Sequence, residues 1–232
     1  MAIRVASATL AGMGRLNYQD PRDAGRELRT GWRRKLFGLS RADVWAALAQ
    51  EINARHESGG WWKSDRVVAS VDPWMLTLDT FTDSHQDNST TYTRLRAPFV
   101  SLDGFRFRIY RKSFFSGLGK FLGMQDLEIG DSYFDEQFII QSDRPQQVVR
   151  LLDSVRLINL LENQPRVMFQ VKDDEGWFGV RFPPNVDELS FSAIGMIKDL
   201  DLLRGLFDLF AETLHQLVVI GSAADTPLEV KL

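Results

Sequence analysis

The chain contains no cysteine, which excludes disulfides, thiolate zinc sites, iron–sulfur clusters and a cysteine nucleophile. Its three histidines among 232 residues leave little room for imidazole metal chemistry. No run of 18 apolar residues occurs, so no segment has the length needed to span a bilayer core. The stretch from Met1 to Leu16 is broken by Gly12 and Gly14 and is too weak for a secretory signal, so the chain reads as cytoplasmic. Proline and glycine are scarce enough, at 8 and 17, to exclude collagen-like and low-complexity classes. What is present, 44% hydrophobic and 25% charged residues, suits a globular protein able to bury a core.

Charge is distributed unevenly. Residues 1–41 carry nine Arg or Lys against three acids, whereas residues 121–232 carry nine against nineteen, giving +6 at the front and −10 at the back. Such polarity points to a basic arm that seeks an anionic partner, or to contact between oppositely charged ends.

Residues 1–39 read as a basic, partly irregular arm, with a turn at Asp20-Pro21. Residues 40–232 read as one α+β domain, with two similar strand-then-helix halves at 61–163 and 164–220 as the alternative. Ser40 and Asp43 have capping-box spacing ahead of a helix over 41–55 whose apolar face is Val44, Trp45, Leu48 and Ile52. From Trp61 to Tyr110 the period becomes two, with strands at 66–71, 74–81, 90–95, 99–102 and 105–110. Asp103-Gly104 reads as a two-residue hairpin turn joining the last two. Residues 113–131 form a long glycine-containing connection or a short irregular helix, 134–142 a strand, and Pro145 opens a helix over 146–161. Strands at 167–172, 177–182 and 189–192 precede a closing helix over 198–219. The fold class is therefore α+β, a largely antiparallel sheet covered by helices.

In the closing helix Leu203, Phe207, Phe210 and Leu214 form a long stripe widened by Leu202, Leu206 and Leu209. That is more apolar surface than one sheet contact needs, so these residues are candidates for a second core layer or an oligomer contact.

Chemistry-bearing motifs are weak. Asp79, Asp83, His85 and Asp87 cluster oxygen and imidazole groups, making Asp83, His85 and Asp87 candidate metal ligands, although Asn88 and Arg94 stand where an EF-hand loop needs Gly and Glu. No G-x-S-x-G elbow occurs, Ser113, Ser116 and Ser132 lack a Lys three residues on, and Gly117, Gly119 and Gly123 lack the G-K-[ST] end of a phosphate loop. The acids Asp126, Glu128, Asp131, Asp135 and Glu136 read as a solvated surface. No catalytic residue and no cofactor is assigned.

The basic features are better defined. Alternation on 105–111 places Phe105, Phe107 and Ile109 on one face and Arg106, Arg108 and Tyr110 on the other, with Arg94 and Arg96 joining them only if a bulge lies near Pro98. Nucleic acid is the weaker partner class, because the stacking aromatics of an RNP strand are absent. In the arm, Leu28, Trp32, Leu36 and Leu39 recur at helical spacing beside Arg29, Arg33, Arg34, Lys35 and Phe37. That composition suits a docking arm for an acidic protein, an anchor on an anionic membrane at the inner face, or a staple packed on the domain.

Phe134, Asp135, Phe138, Ile140, Ser142, Asp143, Val148, Leu151 and Leu152 form an FD..F.I.S.D strand followed by a paired-leucine helix. In this stretch, 127–152, the chain resembles a pattern in uncharacterised bacterial domains that often accompany membrane spans. The resemblance implies a membrane setting through the arm or a partner and brings no catalytic residues. The sequence thus points to a non-enzymatic protein-interaction or assembly module, with peripheral membrane binding and a metal-dependent hydrolase as alternatives.

Overall fold

The structure is a computed structural model and describes residues 40–59, 64–85, 88–114, 125–173, 181–228, 230 and 232. Residues from Ser40 onward form one compact unit. It is an α+β structure: five α-helices and a nine-stranded, wholly antiparallel sheet among the described residues.

Helix α1 (Arg41–Glu51) starts at the expected capping box, with both reciprocal Ser40–Asp43 bonds present. Strands β1 (Arg55–Glu57), β2 (Arg66–Val71), β3 (Trp74–His85) and β4 (Asn88–Val100) follow as a meander, the two strands expected at 90–95 and 99–102 being one. The β3–β4 ladder stops at Thr77↔Arg96, just short of Pro98, which has no N–H to extend it.

The expected hairpin at Asp103-Gly104 does not form. A turn exists, with Gly104 at φ +70° and Asp103 accepting from the Phe105 N–H, but β5 (Phe107–Arg111) pairs with β7 and β8 rather than with β4. Asp103 is tied elsewhere: Gln147 and Ser222 donate to its carboxylate at 2.6 and 3.2 Å, and Arg144 bridges it at 3.0 Å. Leu102, expected opposite Phe105, is 60% exposed.

After a 3-10 turn (Lys112–Phe114) and β6 (Gln125–Leu127) comes a second correction. The first half of the strand expected at 134–142 is helix α2 (Ser132–Gln137), because Asp131 caps it by accepting from the Tyr133 and Phe134 N–H groups; only β7 (Phe138–Ser142) is strand. The helix expected over 146–161 is two, α3 (Pro145–Leu152) and α4 (Val155–Glu162), since Ser154 caps the second through the Leu157 N–H. β8 (Met168–Lys172), β9 (Val186–Ile194) and α5 (Leu200–Val219) complete the chain; most of the strand expected at 177–182 lies outside the described residues.

The strand order β1-β2-β3-β4-β9-β8-β5-β7-β6 inserts β8 and β9 between β4 and β5, so strands from both halves of the chain share one sheet. Two adjacent cross-strand rows define its faces. Val67, Leu78, Leu95, Phe191, Phe169, Ile109, Ile140 and Leu127 stand side by side across eight strands, and all but Leu127 are fully buried. Helices α1, α3, α4 and α5 pack on one another over this apolar face, where Phe210 of α5 meets Phe169 edge-on at 5.6 Å. Leu203, Phe207, Phe210 and Leu214, the oligomer candidates, are buried within the chain itself. The second layer that the helix's wide stripe called for is its own helical neighbours α1, α3 and α4.

Candidate functional site: the outer face of the sheet

One residue along, every strand turns to its other side. The next row reads Arg55, Val68, Thr77, Arg96, Ser190, Gln170, Arg108, Gln141 and Asp126, one residue from each of the nine strands. Flanking rows add Asp79, Arg94, Ser192, Met168 and Tyr110 on one side and Pro98, Glu188 and Lys172 on the other. This outer face is where the sequence placed Arg106, Arg108 and Tyr110. Arg94 and Arg96 join them without a bulge. β9 and β8 lie between β4 and β5, and two further antiparallel registers bring the two arginine pairs to the same side.

The charges on this face are matched locally. Arg94 donates from Nε and Nη2 to the two oxygens of Asp79, both at 2.9 Å, and Arg96 donates to the same carboxylate at 2.6 Å. Lys172 pairs with fully buried Glu188 at 3.1 Å, and Arg106 pairs with buried Asp187 and, at 3.8 Å, with exposed Asp173. Arg108 donates to the Gln170 side-chain oxygen at 2.9 Å; burial pulls its guanidinium below the usual range and pushes the Tyr110 phenol up. Arg106 and Arg108 are thus set in a polar lattice and do not form a bare basic patch. At the end of the face a cleft of about 510 Å³ opens between residues 101–104 and 183–187, with Arg106, Asp173 and Asp187 in its lining.

The metal candidates are not gathered. Asp79 and Asp83 lie on one strand four residues apart, about 13 Å in extended chain, and Asp79 is engaged by two guanidiniums. Asp87 and the side chain of His85 lie outside the described residues, and among the described residues no group of three potential ligands converges. The arm residues Arg29, Trp32, Arg33, Arg34, Lys35 and Phe37 also lie outside them. What sequence reasoning missed is the acid side of the lattice: Asp187 and Glu188 were not singled out, and Asp79 was grouped with possible metal ligands instead of with Arg94 and Arg96. The signal for Glu188 was present in β9, where Glu188, Ser190 and Ser192 alternate with Leu189, Phe191 and Ala193.

No helix among the described residues is long and apolar enough to cross a membrane. No family model matches the chain, and no curated protein matches it. Among solved structures it is similar to the crystal structure of the mycobacterial trehalose monomycolate transport factor A, with a TM-score of 0.42 and 11% identity over 82% of this chain and 98% of that one.

Proposed function

We propose that the chain is a non-enzymatic assembly module in which the basic arm of one copy engages the acidic surface of another. The observation that carries this reading is the charge split, +6 over residues 1–41 against −10 over residues 121–232. The cations of the outer sheet face are matched by neighbouring acids and amides, which leaves the arm as the better source of attraction. Arg29, Arg33, Arg34 and Lys35 supply it, and Trp32 and Phe37 supply apolar anchors of the kind that concentrate binding energy.

The test is the light-scattering mass of the full chain and of a variant with Arg29, Arg33, Arg34 and Lys35 replaced by Gln, at low and moderate salt. An oligomer that falls apart with salt and in the variant supports assembly. A second reading, peripheral attachment to anionic membranes, rests on the helical spacing of Leu28, Trp32, Leu36 and Leu39 beside those cations. A monomer that sediments with phosphatidylserine-containing vesicles would replace assembly with that reading, and a monomer that ignores them would overturn both.

A further inference from the structure

The cleft of about 510 Å³ between residues 101–104 and 183–187 is lined by a guanidinium whose charge is matched but whose donors are not used up. The main chain of Arg106 is held at both of its polar groups: the N–H donates to the Asp143 carboxylate at 2.9 Å, and the carbonyl accepts from the Ser142 hydroxyl at 2.8 Å. Its side chain is anchored by one bond, from Nη1 to an oxygen of Asp187, whose side chain is only 5% exposed. A cation that grips a buried acid stays where it is, because leaving would strand the carboxylate's charge away from water.

That single bond leaves the edge of the guanidinium formed by Nε and Nη2. Nη2 lies 3.8 Å from the Asp173 carboxylate, too long for a hydrogen bond, and among the described residues the guanidinium makes no further bond. Nε and Nη2 carry parallel N–H groups spaced to meet both oxygens of one carboxylate. Asp173 is 76% exposed, so water competes for it and it holds its position weakly.

The walls are set before a ligand arrives. The Ser101 N–H donates to the Asn185 carbonyl at 2.8 Å and ties one wall to the other, and the Val186 N–H closes on the Pro183 carbonyl at 3.1 Å. Leu102, Pro183 and Pro184, all exposed, give the lining its apolar surface. Fixed walls leave little ordering to lose on binding.

We propose that the cleft binds a carboxylate carried on an apolar body, with Arg106 as the fork that receives it and Asp173 as the internal group it displaces. Charge selects this ligand. Asp103 and Asp187 already have cations of their own in Arg144 and Arg106, so the ligand exchanges one carboxylate for another and leaves the local charge unchanged. A phosphate dianion would add charge beside those acids, and an ammonium group would meet the guanidinium. Leu102 and the two prolines take the apolar body. The carboxylate can come from a free small acid or from the C-terminus of a polypeptide. The site is independent of the arm and goes beyond the assembly reading.

The experiment is an NMR titration of the full chain that reads the Arg106 Nε–H and the amides of Gly104, Asn185 and Asp187. The probes are hexanoate, hexanamide, inorganic phosphate, and a tripeptide of two glycines and a leucine with its C-terminus free or amidated. The expected result is saturable shifts with millimolar hexanoate, and binding weaker by about tenfold or more for hexanamide and phosphate. Asp173→Asn removes the competing carboxylate from an exposed position and is expected to tighten hexanoate about threefold, the size of an exposed ion pair. Arg106→Lys keeps the charge without the fork and is expected to weaken it about tenfold, and Asp173→Asn still reports on the site if that variant fails to fold. A free-acid tripeptide that binds more tightly than hexanoate and loses binding on amidation supports the site with a polypeptide terminus as the source; the reverse order supports it with a small acid. No shift at tens of millimolar hexanoate, an equal response to hexanamide, or no gain in Asp173→Asn overturns the proposal. Replacing Arg29, Arg33, Arg34 and Lys35 by Gln changes none of these readouts, so failure here and failure of the assembly reading are told apart.

Discussion

The two faces of the sheet are made by the same nine strands and differ by one residue of register, yet they are built on opposite principles. Phe169 is surrounded by Ile109, Phe191 and Phe210, and its neighbour Gln170 lies between Arg108 and Ser190. The inner face is stabilised by removing hydrocarbon from water, which tolerates no change of volume. On the outer face ions are matched in a lattice, where each group's value depends on its partner remaining in place. The comparison shows why a long antiparallel sheet can carry seven cationic side chains among its nine strands and still leave little of that charge unmatched.

The largest expected effect breaks the inner face. Phe169→Ala should cost about 3–5 kcal/mol in a denaturant melt, because a cavity opens at the centre of the core, whereas Gln170→Ala, one position on, should cost about 1 kcal/mol. Equal losses at the two positions would contradict the division of the faces. Next is the lattice. Asp79→Ala removes the carboxylate that two guanidiniums share and should cost about 3 kcal/mol, and replacing Arg96 by Met in the same chain should recover part of it.

A smaller effect concerns pH. Burial pushes the Asp103 carboxyl up, but bonds from Gln147, the Phe105 N–H and Ser222 and the charge of Arg144 together hold it below its ordinary value. A carboxyl depressed in the folded state contributes stability that is present above its unfolded pKa, about 3.9, and is lost as pH falls through its folded pKa. Asp103→Asn should therefore lower the melting temperature at neutral pH and flatten its decline below about pH 4. Asp208 has the opposite sign, since burial raises its pKa more than Arg156 and Arg204 lower it. Its contribution is lost as pH rises through that raised value, so Asp208→Asn should raise the melting temperature at neutral pH. The smallest effect is at Leu102, where Ser should change stability by no more than about 0.5 kcal/mol; a larger loss would restore the hairpin that the sequence suggested.

Much of the fold was legible in the chain because it is written locally. The Ser40–Asp43 box, the alternation in β2 and β5 and the stripe of α5 each depend on residues within a few positions of one another, and each stands as read. The misreadings arose where short polar side chains compete with a propensity. Asp131 and Ser154 cap helices that the apolar pattern alone merged into a strand and into a longer helix. For the outer face, parity told which side Arg106 and Arg108 occupy but not what they meet, because Asp187 is 81 residues from Arg106.

By itself the sequence determined the α+β class, the starts of α1 and α3, the alternation that separates inner from outer residues and the basic arm's composition. These are properties of periodicity and of charge counted along the chain. Only the tertiary structure decided that β9 and β8 stand between β4 and β5 and that Asp79 is a clamp for two arginines. Strand order is set by which distant segments bury the most apolar surface together, and no short window of sequence records that choice.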